Sequence, residues 1–201
     1  SLAEFKYLYA NSPRIRRAEL IEGVVYVASP VYLPHASSQM LILTLLGVYQ
    51  SQTPKVRGAG EISVEIDNDN EVQPDAAMWK PDDITAREDK PILGSPSLVI
   101  EVAASTRSYD LGVKKQVYRR NRVQEYLVLA AHEQEVHWFY WDMGIYKKIE
   151  PDDAGVYRSR VFPGLWLDAL AFWQNDSASL LATLNLGLNS AEHHTFVQSL
   201  S

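Results

Sequence analysis

One carboxylate inside a short apolar run constrains the fold of this chain most. Residues 98–102 read Leu-Val-Ile-Glu-Val and lie between Pro96 and the turn residues Ser105 and Thr106. A run this short and rich in β-branched residues predicts a buried strand. A charge inside such a strand is unfavourable unless it is paired or coordinates a metal. We therefore expect Glu101 to have a partner.

A second carboxylate has a similar setting. Residues 72–78 read Val-Gln-Pro-Asp-Ala-Ala-Met and predict another strand, with Asp75 as its one carboxylate. Two carboxylates on neighbouring strands are the minimal ligand set for a hard divalent cation. Lys114 lies on a predicted helix over residues 109–122, and we expect its ammonium group near the same place. The pattern predicts a metal site built on Asp75 and Glu101.

Length and composition narrow the class of protein. The 201 residues predict one domain over 1–175 and a C-terminal helix or tail over 176–201. Cysteine is absent, which excludes disulfides and thiolate zinc sites and agrees with a cytoplasmic location. No signal-peptide pattern occurs, and no stretch approaches the roughly 18 apolar residues of a membrane span. We expect a soluble protein with no membrane partner.

The predicted elements alternate between helices and strands. We expect helices over 2–9, 37–49, 109–122, 167–173 and 178–186, strands over 61–67, 125–130 and 156–161, and a hairpin over 136–149. Residues 18–28 predict a hairpin or a bulged, bent strand pair around Gly23. Residues 80–95 are expected to form a surface loop, and residues 187–201 to be disordered or to pack on a partner. This order predicts an α/β fold with a mixed, mostly antiparallel sheet flanked by helices.

The motifs occur in a known order. AELIEGVVYVASP, His35, VQPDAAM and the block from LVIEV to EYLVL resemble the Uma2 family of restriction-type endonucleases, also called the DUF820 group, within the PD-(D/E)xK nuclease superfamily. The resemblance covers residues 1–173 and is most specific over 101–126. It implies a restriction-endonuclease-like mixed β-sheet flanked by helices, and hydrolysis of DNA phosphodiester bonds by a water activated by Mg²⁺ or Mn²⁺.

The same resemblance implies the catalytic residues, which fall on Glu19, Asp75, Glu101 and Lys114, with Asp75 and Glu101 as metal ligands. One departure from the superfamily concerns the lysine. The position two residues after the strand carboxylate holds Ala103, so the resemblance places the lysine on the following helix. Lys114 fits that position. Lys115 remains the alternative if the register differs by one residue.

Other site residues are less constrained. Glu19 and Glu22 would face opposite sides of an ideal strand, so only one can serve, and the family spacing favours Glu19. His35 matches a family histidine and is a possible substrate contact. Arg119 and Arg120 are possible phosphate contacts, or part of a solvated helix face. His193 and His194 are expected to be solvated in a polar tail. His132 and His137 flank a turn of the later hairpin, and we expect no metal-binding or catalytic role for them.

The net charge is the main objection to a nuclease function. The chain carries 25 acidic and 19 basic residues, for a net charge of −6, whereas nucleic-acid-binding proteins usually present a basic face. A homodimer or higher oligomer would form a shared basic groove despite the negative net charge of each subunit. Two cuts in duplex DNA also need two sites. The alternative is a catalytically inactive nuclease-like fold that binds nucleic acid or protein. The sequence leaves DNA and RNA open as substrates.

Overall fold

The apolar runs of the sequence form short strands and helices. The computed structural model describes residues 1–28, 30–86 and 90–200. In that part of the chain the strands are β1 (Ala18–Ile21), β2 (Val24–Val27), β3 (Arg57–Gly60), β4 (Val64–Glu65), β5 (Glu71–Val72), β6 (Ala76–Trp79), β7 (Ile84–Thr85), β8 (Ile92–Gly94), β9 (Leu98–Ala103), β10 (Glu125–Ala130), β11 (Glu135–Asp142), β12 (Ile145–Ile149), β13 (Val156–Arg158) and β14 (Trp166–Asp168). The helices are α1 (Leu2–Ala10), α2 (Leu33–Gln52), α3 (Arg107–Tyr109), α4 (Lys115–Arg120), α5 (Ala169–Trp173), α6 (Ser177–Leu188) and α7 (Ala191–Ser199), and a π-helical turn (Asp110–Lys114) joins α3 to α4.

The larger sheet holds the strand that carries Glu101. Its order is β12-β11-β10-β9-β6-β3, and only β9 and β10 run parallel. Every residue of these two strands is buried, because apolar side chains cover both faces of the sheet. A parallel pair needs a crossover connection, and the segment from α3 to α4 supplies it. The buried strands predicted at residues 98–102 and 125–130 are confirmed.

A second sheet of short strands has the order β2-β1-β5-β4-β8-β7. Its first hairpin turns at Glu22 and Gly23, whose φ angles are 52° and 79°. Two positive φ values in a two-residue loop match the type I′ turn that suits the twist of a hairpin. The predicted hairpin around Gly23 is confirmed, and Glu22 lies in the turn rather than on the strand.

Two apolar cores cover the opposite faces of the larger sheet. One core packs α2, α5 and α6 against it, through residues that include Ile42, Leu45, Ile100, Leu129 and Leu184. The other joins the sheet to α4 and to the second sheet, through residues that include Ile21, Val64, Val99, Val117 and Tyr126. The candidate site described below lies where strands of both sheets meet the π-helical turn.

The predicted mixed α/β architecture is confirmed, with differences in detail. The single predicted sheet is divided into two six-stranded sheets and a two-stranded sheet of β13 and β14, and the strand predicted over 61–67 pairs at β4. The predicted loop over 80–95 contains β7 and β8 in its described part. Alternating polar and apolar residues predict which side chains of a strand are buried, but they do not predict which other strand it pairs with.

The C-terminal segment packs on the main core. The helix predicted over 178–186 is confirmed as α6, which packs against α2 and β14. Where disorder or a partner was expected, α7 folds back, and His193 is buried. The boundary predicted at residue 175 stays a prediction. Within the described ranges, every helix is too short or too polar to cross a lipid bilayer.

The expectation of a solvated His193 is wrong. One ring nitrogen, Nε2, lies 3.0 Å from Thr53 Oγ1, and the other, Nδ1, lies 2.8 Å from the carbonyl oxygen of Leu188. Burial lowers the pKa of this imidazole. Both ring nitrogens therefore have partners inside the protein, and the residue fastens α7 to the end of α2.

Candidate active site

Strand register brings Asp75 opposite Glu101. Ala76 pairs with Ile100 in the antiparallel ladder between β6 and β9, so the neighbouring residues, Asp75 and Glu101, face each other one step further along. The backbone amide of Val102 donates a hydrogen bond of 2.7 Å to Asp75 Oδ2. Both carboxylates are almost fully buried. The two carboxylates that the sequence singled out are therefore neighbours in the fold.

Lys114 supplies a positive charge at the same place. Its Nζ lies 2.6 Å from Glu101 Oε1 and 2.9 Å from Glu19 Oε1, and its side chain is only 2% exposed. Lys115 points elsewhere, with its ammonium group 3.5 Å from the centre of the Phe139 ring. Of the two lysines left open by the sequence, the structure brings Lys114 to the carboxylates.

The π-helical turn aligns three polar side chains. In a straight α-helix, residues four apart drift by about 40° around the axis, so Asp110, Lys114 and Tyr118 would spread over about 80°. A wider π turn between Asp110 and Lys114 takes up much of this drift. All three are buried, and the Tyr118 hydroxyl donates a hydrogen bond of 2.8 Å to Glu101 Oε1.

Glu19 joins the cluster from the second sheet. Its Oε1 accepts a hydrogen bond of 2.6 Å from the backbone amide of Gln73 as well as the one from Lys114. Glu22 faces away and forms an ion pair with Arg120 near the surface. The structure therefore brings Glu19 to the site, because the turn residue Glu22 lies beyond the end of the strand.

Asp75 has two further partners. Arg17 Nη1 lies 3.0 Å from Asp75 Oδ1, and His35 Nε2 lies 3.4 Å from Oδ2. Burial would raise the pKa of Asp75, but His35, Arg17 and the amide of Val102 lower it, so the carboxyl group is ionised. The other ring nitrogen of His35, Nδ1, is buried and has no hydrogen-bond partner within the part of the chain that the structure describes.

Burial and like charges govern the pKa values of the central pair. Burial raises the pKa of Glu101 well above its ordinary value; Lys114 opposes this effect, and Asp110, Asp75 and Glu19 add to it. Burial acts against the charged form of Lys114 as well, but Glu101, Glu19 and Asp110 outweigh it and raise the pKa of that amine. Lys114 therefore stays protonated, and Glu101 is the carboxylate that most needs a further positive charge.

These groups line a cavity of about 340 Å³. Its polar residues are Arg17, Glu19, His35, Asp75, Glu101, Ser105, Thr106, Asp110 and Lys114, and its apolar wall includes Tyr26, Val27, Val31 and Tyr32. A larger open groove of about 570 Å³ elsewhere, beside Trp166, contains none of the clustered carboxylates. The cavity is large enough for a phosphate group and several waters.

Two predicted contacts lie outside the cavity. Arg119 Nη1 donates a hydrogen bond of 2.6 Å to the carbonyl oxygen of Gly144, and Arg120 is paired with Glu22. Neither arginine lines the cavity. Their use as phosphate contacts stays a prediction, and the solvated helix face is the interpretation that matches their present partners.

The donor atoms fit a small hard cation. Across residues 1–28, 30–86 and 90–200, no three carboxylate or imidazole groups are arranged to hold a metal ion by themselves. Mg²⁺ does not need such a set, since one or two carboxylates commonly hold it while it keeps waters and substrate oxygens. Asp75 and Glu101 supply two, and the hydrogen bonds found for Glu101 all go to Oε1. Asp75 and Glu101 are the residues that would hold Mg²⁺ or Mn²⁺.

Comparison with known proteins places the chain in a family. A family model named Uma2, described as "Putative restriction endonuclease", matches residues 2–170. The chain belongs to the Uma2 family. The matched range contains every residue of the cluster and ends near the start of α5. The comparison with curated proteins gives no match.

A solved structure is similar to this Uma2 chain in fold. It is the crystal structure of a putative nuclease belonging to DUF820 from Anabaena variabilis, with a TM-score of 0.63 and 16% sequence identity. The similarity covers 79% of the present chain and 90% of the other. At this identity the match supports the fold, and the predicted nuclease-like architecture is confirmed.

Sequence reasoning did not assign Arg17, Asp110 or Tyr118 to the Uma2 site. The usable signal was the spacing of four between Asp110, Lys114 and Tyr118. Four-residue spacing marks one face of a helix, so it indicates that Asp110 and Tyr118 point the same way as Lys114.

Proposed function

We propose that this Uma2 protein is a divalent-cation-dependent endonuclease that hydrolyses phosphodiester bonds in DNA. The observation that carries the proposal is the convergence of Glu19, Asp75 and Glu101 on one cavity, with Lys114 Nζ 2.6 Å and 2.9 Å from two of them. In one partly enclosed cavity, an ammonium group and carboxyl groups, of which Asp75 is ionised, suit a reaction that builds negative charge on a phosphate.

Asp75 and Glu101 would hold the cation, and Mg²⁺ or Mn²⁺ fits their hard oxygen atoms. When bound, it supplies an acidified water and screens the charge of the phosphate. Arg17 and His35 hold Asp75 in place and keep it ionised. Their contacts leave the orientation of that carboxylate fixed before substrate enters.

Lys114 has the role of stabilising negative charge on the phosphate oxygens. Its ammonium group is held between Glu101 and Glu19, so it needs little reorganisation when the charge develops. Glu19 orients Lys114 from the other side and accepts hydrogen bonds, so it is placed to orient an attacking water. The predicted DNA substrate, cytoplasmic location and homo-oligomer remain predictions.

Cleavage assays test this function directly. Supercoiled plasmid and single-stranded DNA and RNA are incubated with the protein and Mg²⁺, Mn²⁺ or EDTA. We expect cleavage only with a divalent cation, and Asp75→Asn and Glu101→Gln each to lower the rate by about 100-fold or more. Asp153→Asn, the same change at an exposed acidic residue, serves as the matched control and should leave the rate unchanged.

Cation binding provides an independent readout. Titration with Mn²⁺ should show one or more sites in the wild type that Glu101→Gln weakens and Asp153→Asn leaves intact. Absence of cleavage with every cation and nucleic acid, in a protein that still binds Mn²⁺, would contradict catalysis and favour a binding module. Activity that Asp75→Asn and Glu101→Gln retain would indicate a contaminating nuclease.

A further inference from the structure

One long segment of the chain carries no formal charge. The residues from Gly23 to Pro54 include no Asp, Glu, Lys or Arg, whereas the whole chain contains 44 of them, 25 acidic and 19 basic. The segment contains β2 and all of α2. An exposed surface without charge is unusual for a soluble protein, since charged residues are depleted mainly in the centres of interfaces.

Apolar side chains are concentrated on this segment. Of the thirteen large hydrophobic residues that are exposed in the described part of the chain, seven belong to it, and each exposes more than half of its area. They are Val24, Val25, Val27, Val31, Tyr32, Leu33 and Met40. We call these seven residues the uncharged face. Exposed apolar side chains concentrated on one segment in this way mark an interaction site.

The uncharged face includes an open sheet edge. Among the described strands β2 pairs only with β1, so its other side presents unpaired backbone N–H and C=O groups. Natural edge strands are usually protected by lysine, proline or a bulge. The four residues of β2 are Val24, Val25, Tyr26 and Val27, which provide no such protection. This edge is therefore suited to pairing with another strand.

The uncharged face also borders the candidate site. Val27, Val31 and Tyr32 line the same cavity as Asp75 and Glu101. Leu33 and Met40 are seven residues apart on α2, which places them on the same side of that helix. The face therefore extends from the mouth of the cavity along α2.

We propose that the uncharged face is the contact surface between two copies of this chain. Nucleic acid is a poor occupant, because binding it requires lysine or arginine, and the face has neither. A second copy brings an identical uncharged surface, so two subunits of net charge −6 approach there with the least repulsion. Antiparallel pairing of β2 with its own copy about a twofold axis satisfies both open edges.

The size of the face agrees with this occupant. Seven large side chains, each more than half exposed, offer an area on the order of the ~800 Å² that each partner contributes to a standard interface. Because Tyr32 belongs to both the face and the cavity wall, the partner subunit borders the cavity mouth. The dimer therefore brings two candidate sites to one interface, which suits cleavage of both strands of a duplex.

Sedimentation of the full chain tests the proposal without requiring any activity. We expect the wild type to sediment as a dimer at micromolar concentrations. Met40→Glu and Leu33→Glu should each weaken the dimer at least tenfold, because each places a charge inside the proposed apolar contact surface. Leu186→Glu is the matched control, since Leu186 is 67% exposed on α6 and the change adds the same charge. It should leave dimerisation unchanged.

Thermal unfolding checks that all three variants remain folded. We expect that they do, because each replaced side chain is exposed in the monomer. A wild type that is monomeric at 100 µM would overturn the proposal. Equal effects of Met40→Glu and Leu186→Glu would also overturn it. A dimer that cleaves no nucleic acid would contradict the proposed function alone and leave the interface supported.

Discussion

Lys114 and Glu101 form an ion pair in which the ammonium nitrogen and a carboxylate oxygen are 2.6 Å apart, although both side chains are almost fully buried. Burying a charge pair is tolerated only when further polar contacts satisfy it. Glu19 and Tyr118 provide those contacts. The pair links the crossover segment to the middle of the larger sheet, so its removal should affect both stability and activity.

Replacing Lys114 with alanine should destabilise the fold by about 3–5 kcal/mol, because it leaves the buried Glu101 and the partly buried Glu19 without their cation. Urea denaturation measures the loss. Lys115→Ala is the matched control, and it should cost less than about 1 kcal/mol, since its partly exposed amine only contacts an aromatic ring. Equal losses for the two variants would contradict the assignment of Lys114 as the buried partner.

Glu19 and Glu22 should differ in their effect on cleavage. Glu19→Gln is expected to lower the rate at least tenfold, because it weakens the hold on Lys114 and removes a negative acceptor from the cavity. Glu22→Gln should leave the rate unchanged, since Glu22 pairs with Arg120 outside the cavity. Initial rates of plasmid nicking in Mg²⁺ measure both. A larger effect of Glu22→Gln would indicate that Glu22, in the turn, acts at the site in place of Glu19 on β1.

Tyr118 should position Glu101. Tyr118→Phe removes the hydrogen bond of 2.8 Å to Glu101 Oε1 and is expected to cost about 1.5–3 kcal/mol of stability, as for other hydrogen bonds to charged groups. It should also weaken Mn²⁺ binding several-fold, because the carboxylate is free to turn. Tyr146→Phe is the control, since its hydroxyl donates only to the carbonyl oxygen of Val123. If both variants bind Mn²⁺ with wild-type affinity, Tyr118 has only a packing role.

Glu125 should make stability depend on pH. Burial raises the pKa of this carboxyl group from 4.5 to about 7, against the opposing hydrogen bonds from Ser159, Trp138 and two backbone amides. The folded protein therefore binds the proton more tightly than the unfolded chain does. The stabilisation is complete below about pH 4.5 and is lost as the pH rises through about 7, by about 3 kcal/mol in total.

Chemical denaturation between pH 4.5 and 8.5 measures this dependence. Glu125→Gln has a similar size and no ionisable group, so its unfolding free energy should lack this fall of about 3 kcal/mol. Because every other titrating group is shared, the difference between the two proteins isolates Glu125. Parallel curves for wild type and variant would show that the group does not titrate in this range.

The central strands and four site residues could be predicted, for identifiable reasons. Residues 98–102 and 125–130 are apolar because both faces of their strands are covered, so composition alone reveals them. The grouping of Glu19, Asp75, Glu101 and Lys114 came from the order of motifs, and the structure places all four at one cavity. Their chemical roles stay predictions.

The remaining features depend on geometry that a sequence pattern does not contain. A π-helical turn has no composition of its own, so the spacing of four indicates a shared helix face for Asp110, Lys114 and Tyr118 but not the turn that aligns them closely. Arg17 reaches Asp75 across 58 residues, which no local pattern reports. The burial of His193 was missed for the same reason, because the partner of its Nε2 belongs to the end of α2.

The hydrogen bond between Thr53 and His193 joins positions that are 140 residues apart. Tyr49, one turn earlier on α2, donates to the carbonyl oxygen of Pro163 across 114 residues. During synthesis, α2 leaves the ribosome long before the helices that cover its apolar side, and contacts so distant along the chain form slowly. The nascent protein therefore spends most of its translation with that side uncovered, and its yield in cells should depend on chaperones that shield such surfaces.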